Sequence, residues 1–294
     1  MKNLRIIEYF GGFQVKIYWY TDEFLMGYYL SDEDKERRER RKRIREELER
    51  QSYATDRFTE VDMDWEEIWE QYEREKLQRK MDKAVQNASR AKQNVYYLAR
   101  SNEWEWFVTL TLNKEKIERY DYDELSKRVK KWLNNLKQRK APELYYLIVP
   151  EQHKDGAWHF HCLLGGCEGL EFVYSGRRTS RQTGRKRIYN LEDFKYGFTE
   201  CTKVVDTERV SAYICKYITK TMCAATEGRN RYWVSKNCKR AEITEYCLGD
   251  QELLKYKESL YDIMSYKKRV VTEWCTVDYF EIPKGEKESE LAWS

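Results

Sequence analysis

An α+β fold, with an antiparallel sheet flanked by helices, is predicted by three features of this 294-residue chain. Several short segments alternate apolar and polar residues, as half-buried strands require, and Trp104–Leu112 is the clearest. Asp123–Lys140 has helical spacing and stops just before Pro142, a residue that cannot continue a helix. Residues 65–100 carry a longer helical pattern, with Trp65, Ile68, Trp69 and Tyr72 on one stripe and Ala84, Ala88, Ala91, Val95 and Leu98 further along.

From Trp104 the elements read strand, helix, strand over 145–153, strand over 158–164, a basic hairpin, strand over Phe198–Val205, and a helix from about Thr207 to Thr221. Strands and helices in that mixture make an α+β sheet domain over 101–248, with the hairpin inserted at 168–190. Residues 1–100 form an N-terminal helical extension that begins with a strand pair in the Tyr- and Phe-rich first thirty residues, and residues 249–294 a C-terminal extension that frays after Pro283. Ser31–Arg50 holds eight acids and nine bases with almost no apolar residue, which fits either an exposed helix laced with ion pairs or disorder.

Composition narrows the function classes. No apolar run approaches the roughly 20 residues of a membrane span, and the start of the chain leads into a strand-like stretch, so neither a membrane partner nor a signal peptide is expected. All eight cysteines lie from Cys162 onward without a Cys-x-x-Cys, which reads as packed, reduced thiols of a soluble cytoplasmic protein. No Gly-x-x-x-x-Gly-Lys-[Ser/Thr] occurs, so no nucleotide-driven motor is expected in the chain. The net charge of +4 is small, and its distribution matters more.

The chemistry concentrates in one place. His153, His159 and His161 fall within nine residues, and along a strand His159 and His161 share one face while Phe160 and Cys162 take the other. The preceding strand ends at Glu151-Gln152-His153, and Lys154-Asp155-Gly156 signals a turn. A two-residue loop would oppose Glu151 to Phe160, whereas a three-residue loop with Gly156 left-handed would oppose Glu151 to His159 on the histidine face. The second register gathers a carboxylate and two imidazoles, with His153 one pair nearer the turn as a fourth ligand or a bystander. Such a set suits Mg²⁺, Mn²⁺ or Zn²⁺, although a lone strand histidine is more often structural.

Tyr-x-x-Lys occurs twice, overlapping, in Tyr213-Ile214-Cys215-Lys216-Tyr217-Ile218-Thr219-Lys220. On a continuous helix Tyr213 and Tyr217 stack one turn apart, with Lys216 and Lys220 beside them, although tyrosines at this spacing are most often packing residues. The run Arg177–Arg187 contains six cations (Arg177, Arg178, Arg181, Arg185, Lys186 and Arg187) and no acid, which fits a hairpin gripping nucleic-acid phosphates as well as a solvated loop. Arg229–Lys236 pairs aromatics with cations, and Ser89–Lys92 is basic, so both are candidates to extend such a surface.

In order, the Phe107–Thr111 strand, the His159-Phe160-His161 strand and the Tyr213–Lys220 helix resemble the motifs of HUH endonucleases, in particular the rolling-circle replication initiators of single-stranded DNA phages and plasmids. The resemblance covers residues 104–222. Glu151 sits where the initiators of small eukaryotic DNA viruses place a third metal ligand, while the doubled Tyr-x-x-Lys resembles the two-tyrosine initiators of isometric bacteriophages. It implies an HUH-type core and Mg²⁺ or Mn²⁺ held by Glu151, His159 and His161, with His153 as a possible addition. It further implies nucleophilic Tyr213 and Tyr217 assisted by Lys216 and Lys220. The partners implied are single-stranded origin DNA and a helicase and polymerase of a bacterial host. An HUH-type transposase, a relaxase and a non-catalytic DNA-binding regulator are the competing readings.

Overall fold

The computed structural model describes residues 1–22, 24–25, 65–226, 228–272 and 275–285. The charged run Ser31–Arg50 and residues 286–294 lie outside the described residues, as do the side chains of Trp65, Ile68, Trp69 and Tyr72. The chain divides into two compact units, one of residues 8–12 and 78–242 and the other of residues 1–7, 13–77 and 243–294. Both contain antiparallel sheet, and the α+β class holds for the molecule.

The larger unit is built on strands β3 (Trp106–Leu112), β4 (Tyr145–Gln152), β5 (Trp158–Gly165), β6 (Phe172–Arg178), β7 (Arg187–Leu191), β8 (Gly197–Lys203) and β9 (Trp233–Val234), in the spatial order β6-β7-β8-β3-β5-β4-β9. In β3, Trp106, Val108, Leu110 and Leu112 are buried while Phe107, Thr109 and Thr111 are half-buried on the other face. In register, Leu110 lies opposite Phe160 and Val108 opposite Cys162, which makes one continuous apolar face.

Of the helices, α1 (Trp65–Arg100) buries Ala88, Ala91, Val95 and Leu98 in this core, and Ala84 is only half-buried. α2 (Tyr122–Arg139) begins at Asp121, whose carboxylate accepts from the backbone N–H groups of Asp123 and Glu124. It buries Leu125, Val129, Leu133 and Leu136. Each such side chain contributes roughly 1.5–3 kcal/mol on burial, against about 0.3–0.5 kcal/mol for an exposed i,i+4 pair such as Arg128–Glu124. Packing therefore holds α2 on the sheet. After β8 come α3 (Thr207–Ile214), capped by Asp206, and the short α4 (Lys220–Ala225).

The smaller unit pairs the start of the chain with its end. Strands β1 (Leu4–Tyr9) and β2 (Gly12–Tyr20) share a sheet with β10 (Glu242–Tyr246), β11 (Tyr266–Val271) and β12 (Cys275–Pro283), in the order β10-β1-β2-β12-β11. Helix α5 (Asp250–Leu260) buries Leu253, Tyr256 and Leu260 with Leu4, Val15, Ile17, Phe280 and Ile282. Its polar centre is Asp278, which accepts from Trp19 Nε1 at 3.0 Å, Lys257 Nζ at 2.7 Å and Arg269 Nε at 2.6 Å. Burial opposes charge on this carboxyl, yet these donors hold it well below the usual carboxylate range.

All eight cysteines are free thiols, and among the described residues no helix is long and apolar enough to cross a membrane. Gly197 opens β8 opposite Leu112, where an added Cβ would run into the Thr111 carbonyl oxygen and the Asn113 backbone nitrogen. Neither backbone can yield without breaking the β3–β8 ladder. Gly197→Ala is expected to cost roughly 3 kcal/mol in urea unfolding; an unchanged midpoint would contradict this packing.

Candidate functional site

The turn between β4 and β5 sets the site. His153 N–H donates to the Ala157 carbonyl and Gly156 N–H to the His153 carbonyl, both at 2.9 Å, so the loop is Lys154-Asp155-Gly156. Gly156 has φ +85°, the left-handed region that glycine enters without a Cβ penalty. Glu151 consequently pairs with His159, and Val149 with His161. This is the three-residue alternative of the two that the sequence allows.

On that face Glu151 Oε2 lies 2.7 Å from His161 Nε2 and 3.5 Å from His153 Nε2. The His153 and His159 rings stack with centroids 3.7 Å apart. From β3, Thr109 Oγ1 is 3.2 Å from His161 Nδ1 and Thr111 Oγ1 is 3.4 Å from His159 Nδ1. Each threonine lies opposite its histidine in the β3–β5 register and fixes the ring from behind. The sequence places both threonines in a motif without giving them a role; their alternation, combined with the register, is the signal that could have found it.

The protonation states follow from burial. His161 is buried, which holds its pKa below the ordinary histidine value against the opposing effect of Glu151. His159 is lowered to about 4, first by burial and then by His153 and His161 beside it. The hydrogen bond with His161 lowers the Glu151 pKa. A neutral His161 therefore donates from Nε2 to an ionised Glu151 and accepts the Thr109 hydroxyl at Nδ1.

The tyrosine segment departs from the expected continuous helix. α3 ends at Ile214, the chain tightens into a 3₁₀ turn over Cys215–Tyr217, and Ile218 leaves helical geometry with ψ 88°. Buried Ile214 and Ile218 anchor the segment in the core, and Thr219 Oγ1 accepts from Met222 N at 3.0 Å to start α4. A 3₁₀ step turns about 120° instead of 100°, so three of them carry Tyr217 roughly 60° further round than an α-helix would. Tyr217 faces the sheet as a result. Its ring stacks on His161 at 3.4 Å between centroids and 13° between planes, with Phe107 behind at 6.5 Å.

Tyr213 remains exposed, edge-on to Phe107 at 5.2 Å, and accepts a 2.9 Å hydrogen bond from the Tyr217 hydroxyl. Lys216 Nζ lies over the Tyr213 ring at 4.9 Å. The Lys220 side chain is outside the described residues. Burial pushes the Tyr217 phenol up, and the hydrogen bond with Tyr213 adds to it.

The expected basic hairpin is present as β6 and β7 at the sheet edge, with Arg178 opposite Arg187 and a 3₁₀ turn over Arg181–Thr183. Arg177, Arg178, Arg181, Arg185, Lys186 and Arg187 are all exposed. Arg177 is paired with Glu200 at 3.1 Å and Arg178 donates to the Arg185 carbonyl, while Arg187 lies over the Tyr174 ring.

One sheet face thus carries Glu151, His153, His159 and His161, covered in part by the segment that carries both tyrosines. Residues 105–222 match a family model of replication-associated proteins, the ORF2 type. The matched span begins just before β3 and ends in α4, so it contains the threonines, the histidine hairpin, the basic hairpin and the tyrosines. This match supports a replication-associated family for the chain. No curated protein and no solved structure matches it.

As regards a metal, among the described residues no three His, Cys, Asp or Glu side chains are arranged as a ready ligand set. Glu151 is bonded to His161 itself, and His159 stacks on His153. The donor types, one carboxylate and three imidazoles on one face, fit a divalent cation.

His159 is expected to stay neutral at pH 5 in ¹⁵N NMR and to titrate near 4, where a solvated histidine is half-protonated near 6.5. Because the unfolded chain takes up this proton first, stability should fall as pH drops from about 6.5 to about 4. An ordinary titration would show that His159 is not enclosed as described.

Proposed function

We propose that this chain is a rolling-circle replication initiator that nicks and rejoins single-stranded DNA at an origin. A tyrosine hydroxyl attacks a backbone phosphorus, the P–O3′ bond breaks, and the products are a covalent 5′-phosphotyrosine and a free 3′-hydroxyl. The retained phosphodiester lets a later 3′-hydroxyl reverse the step and join the strands without a nucleotide cofactor. The observation that carries this reading is the stack of Tyr217 on His161, which joins the tyrosine segment to the histidine strand.

The residues divide the work as follows. Glu151, His159 and His161, with His153 at the rim, would hold Mg²⁺ or Mn²⁺, which when bound supplies polarisation of the scissile phosphate. Tyr213 is the first nucleophile on this reading, being the exposed phenol, and Tyr217 donates to its oxygen while Lys216 sits over its ring. Those two groups, together with Lys220, hold negative charge at the reacting oxygens. The basic hairpin supplies phosphate contacts that position the strand without reading its sequence. The HUH architecture and the two-tyrosine type belong to this proposal, as do recruitment of a host helicase and polymerase and a place in the bacterial cytoplasm.

Incubation with short single-stranded oligonucleotides and Mn²⁺ should give a protein–DNA adduct on a denaturing gel, and its absence under all divalent metals would leave the non-catalytic regulator. His161→Ala and Glu151→Ala should reduce the adduct by on the order of 100-fold or more, His153→Ala by less, and Thr109→Val by about 10–100-fold through loss of ring orientation. Tyr213→Phe should remove most first-strand cleavage, and Tyr217→Phe should still cut but fail to complete rejoining. Nucleotide retained on the Tyr217 peptide alone would reverse these two roles.

A further inference from the structure

At the opposite edge of the larger unit's sheet from the basic hairpin, a groove of about 580 Å³ runs between α1 and the loop leading into β9. Arg90, Lys130, Arg229 and Arg231 line it together with Tyr146 and Tyr232, and among the described residues no carboxylate does. Its cations come from three separate elements that the fold brings together. Lys130 is held over the Trp233 ring at 4.9 Å, and Arg229 is held by Asp123 at 2.8 Å and over Tyr122 at 5.6 Å. Arg90 is exposed. The Nε of Arg231 is buried and has no hydrogen-bond partner, a donor whose burial is costly unless something accepts from it.

We infer that this groove is a second binding site for single-stranded DNA, holding backbone phosphates on Arg90, Lys130 and Arg231 and a base on Tyr232. The volume lies in the range of sites for nucleotide-sized ligands. Cations alternating with half-buried aromatic rings match a chain of alternating phosphates and bases, which an acidic peptide would match only in its charges. β9 is separated from the histidine strand β5 only by β4, so by strand spacing the groove lies roughly 10 Å across the sheet from the histidines. A strand crossing the site from the basic hairpin would reach it next. Binding here does not depend on cleavage, so the two proposals fail separately.

The full chain is titrated with a fluorescein-labelled 12-mer oligothymidylate in EDTA, reading anisotropy at several salt concentrations. Arg90→Glu with Lys130→Glu should weaken binding at least about 10-fold, and loss of two phosphate contacts should reduce the salt slope by about 1.4. The charge-preserving pair Arg90→Lys and Lys130→Arg should bind like the parent, which separates charge from folding. An oligothymidylate carrying 5-bromouracil should photocrosslink to the peptide containing Tyr232, protected by unlabelled strand but not by millimolar thymidine monophosphate or inorganic phosphate. Unchanged affinity and slope in the charge-reversed variant would overturn the site, and equal protection by phosphate alone would reduce it to a free-anion site and overturn the strand reading.

Discussion

The left-handed conformation at Gly156 is the constraint on which the candidate site rests. Most other residues would lose roughly 1–2 kcal/mol in that conformation, and a two-residue turn in its place would shift the β4 register by one. A one-residue slip sends every side chain of a strand to the opposite face. Glu151 would then oppose Phe160 in the apolar core, where an unpaired carboxylate is far more costly than the turn strain itself. Turn and core therefore select the same register, and the polar cluster on the other face is its consequence.

Burial does more in this site than hold the rings in place. His161 is enclosed by Thr109, Glu151 and the Tyr217 ring, so its neutral form is favoured and both nitrogens already have partners. A hydrogen bond to a charged group contributes about 1.5–3 kcal/mol, enough to fix one rotamer. The same enclosure raises the Tyr217 phenol and leaves it a donor to Tyr213. Two tyrosines that look equivalent in sequence thus differ in environment: one is stacked and half-buried, the other exposed beside an ammonium.

The parts legible in the sequence were those governed by local pattern. The alternation of β3, the stop of α2 before Pro142 and the basic hairpin each follow from residues within one segment. The helix break at Ile218 was not legible, because Tyr213–Lys220 has ordinary helical spacing and the break depends on Ile214 and Ile218 being anchored in a core assembled from distant strands. Pairing of the first strands with the last was hidden for a related reason. β2 meets β12 across the length of the chain, and no local periodicity reports a partner so far away. The roles of Thr109 and Thr111 needed one further fact, the register between β3 and β5, which hairpin chemistry does not supply because α2 and β4 intervene.

The small net charge conceals a strongly uneven surface. In the larger unit the basic hairpin and the α1–β9 groove occupy the two edges of one sheet, six strand spacings or roughly 29 Å apart. That is more than three Debye lengths at physiological salt, so the two cationic sets neither repel each other appreciably nor share a counterion cloud. Each interacts with its own stretch of phosphates. A strand bound at both edges gains from the second contact as an intramolecular event, with an effective concentration set by the span between them. The histidine and tyrosine cluster lies between the two edges, so tension or slack in the strand is delivered to the place where a phosphodiester would be cut. A single concentrated basic patch at one edge would bind as tightly by charge count alone but would leave the other side of the scissile position unheld, and a cleaved end without a holder can diffuse away before rejoining.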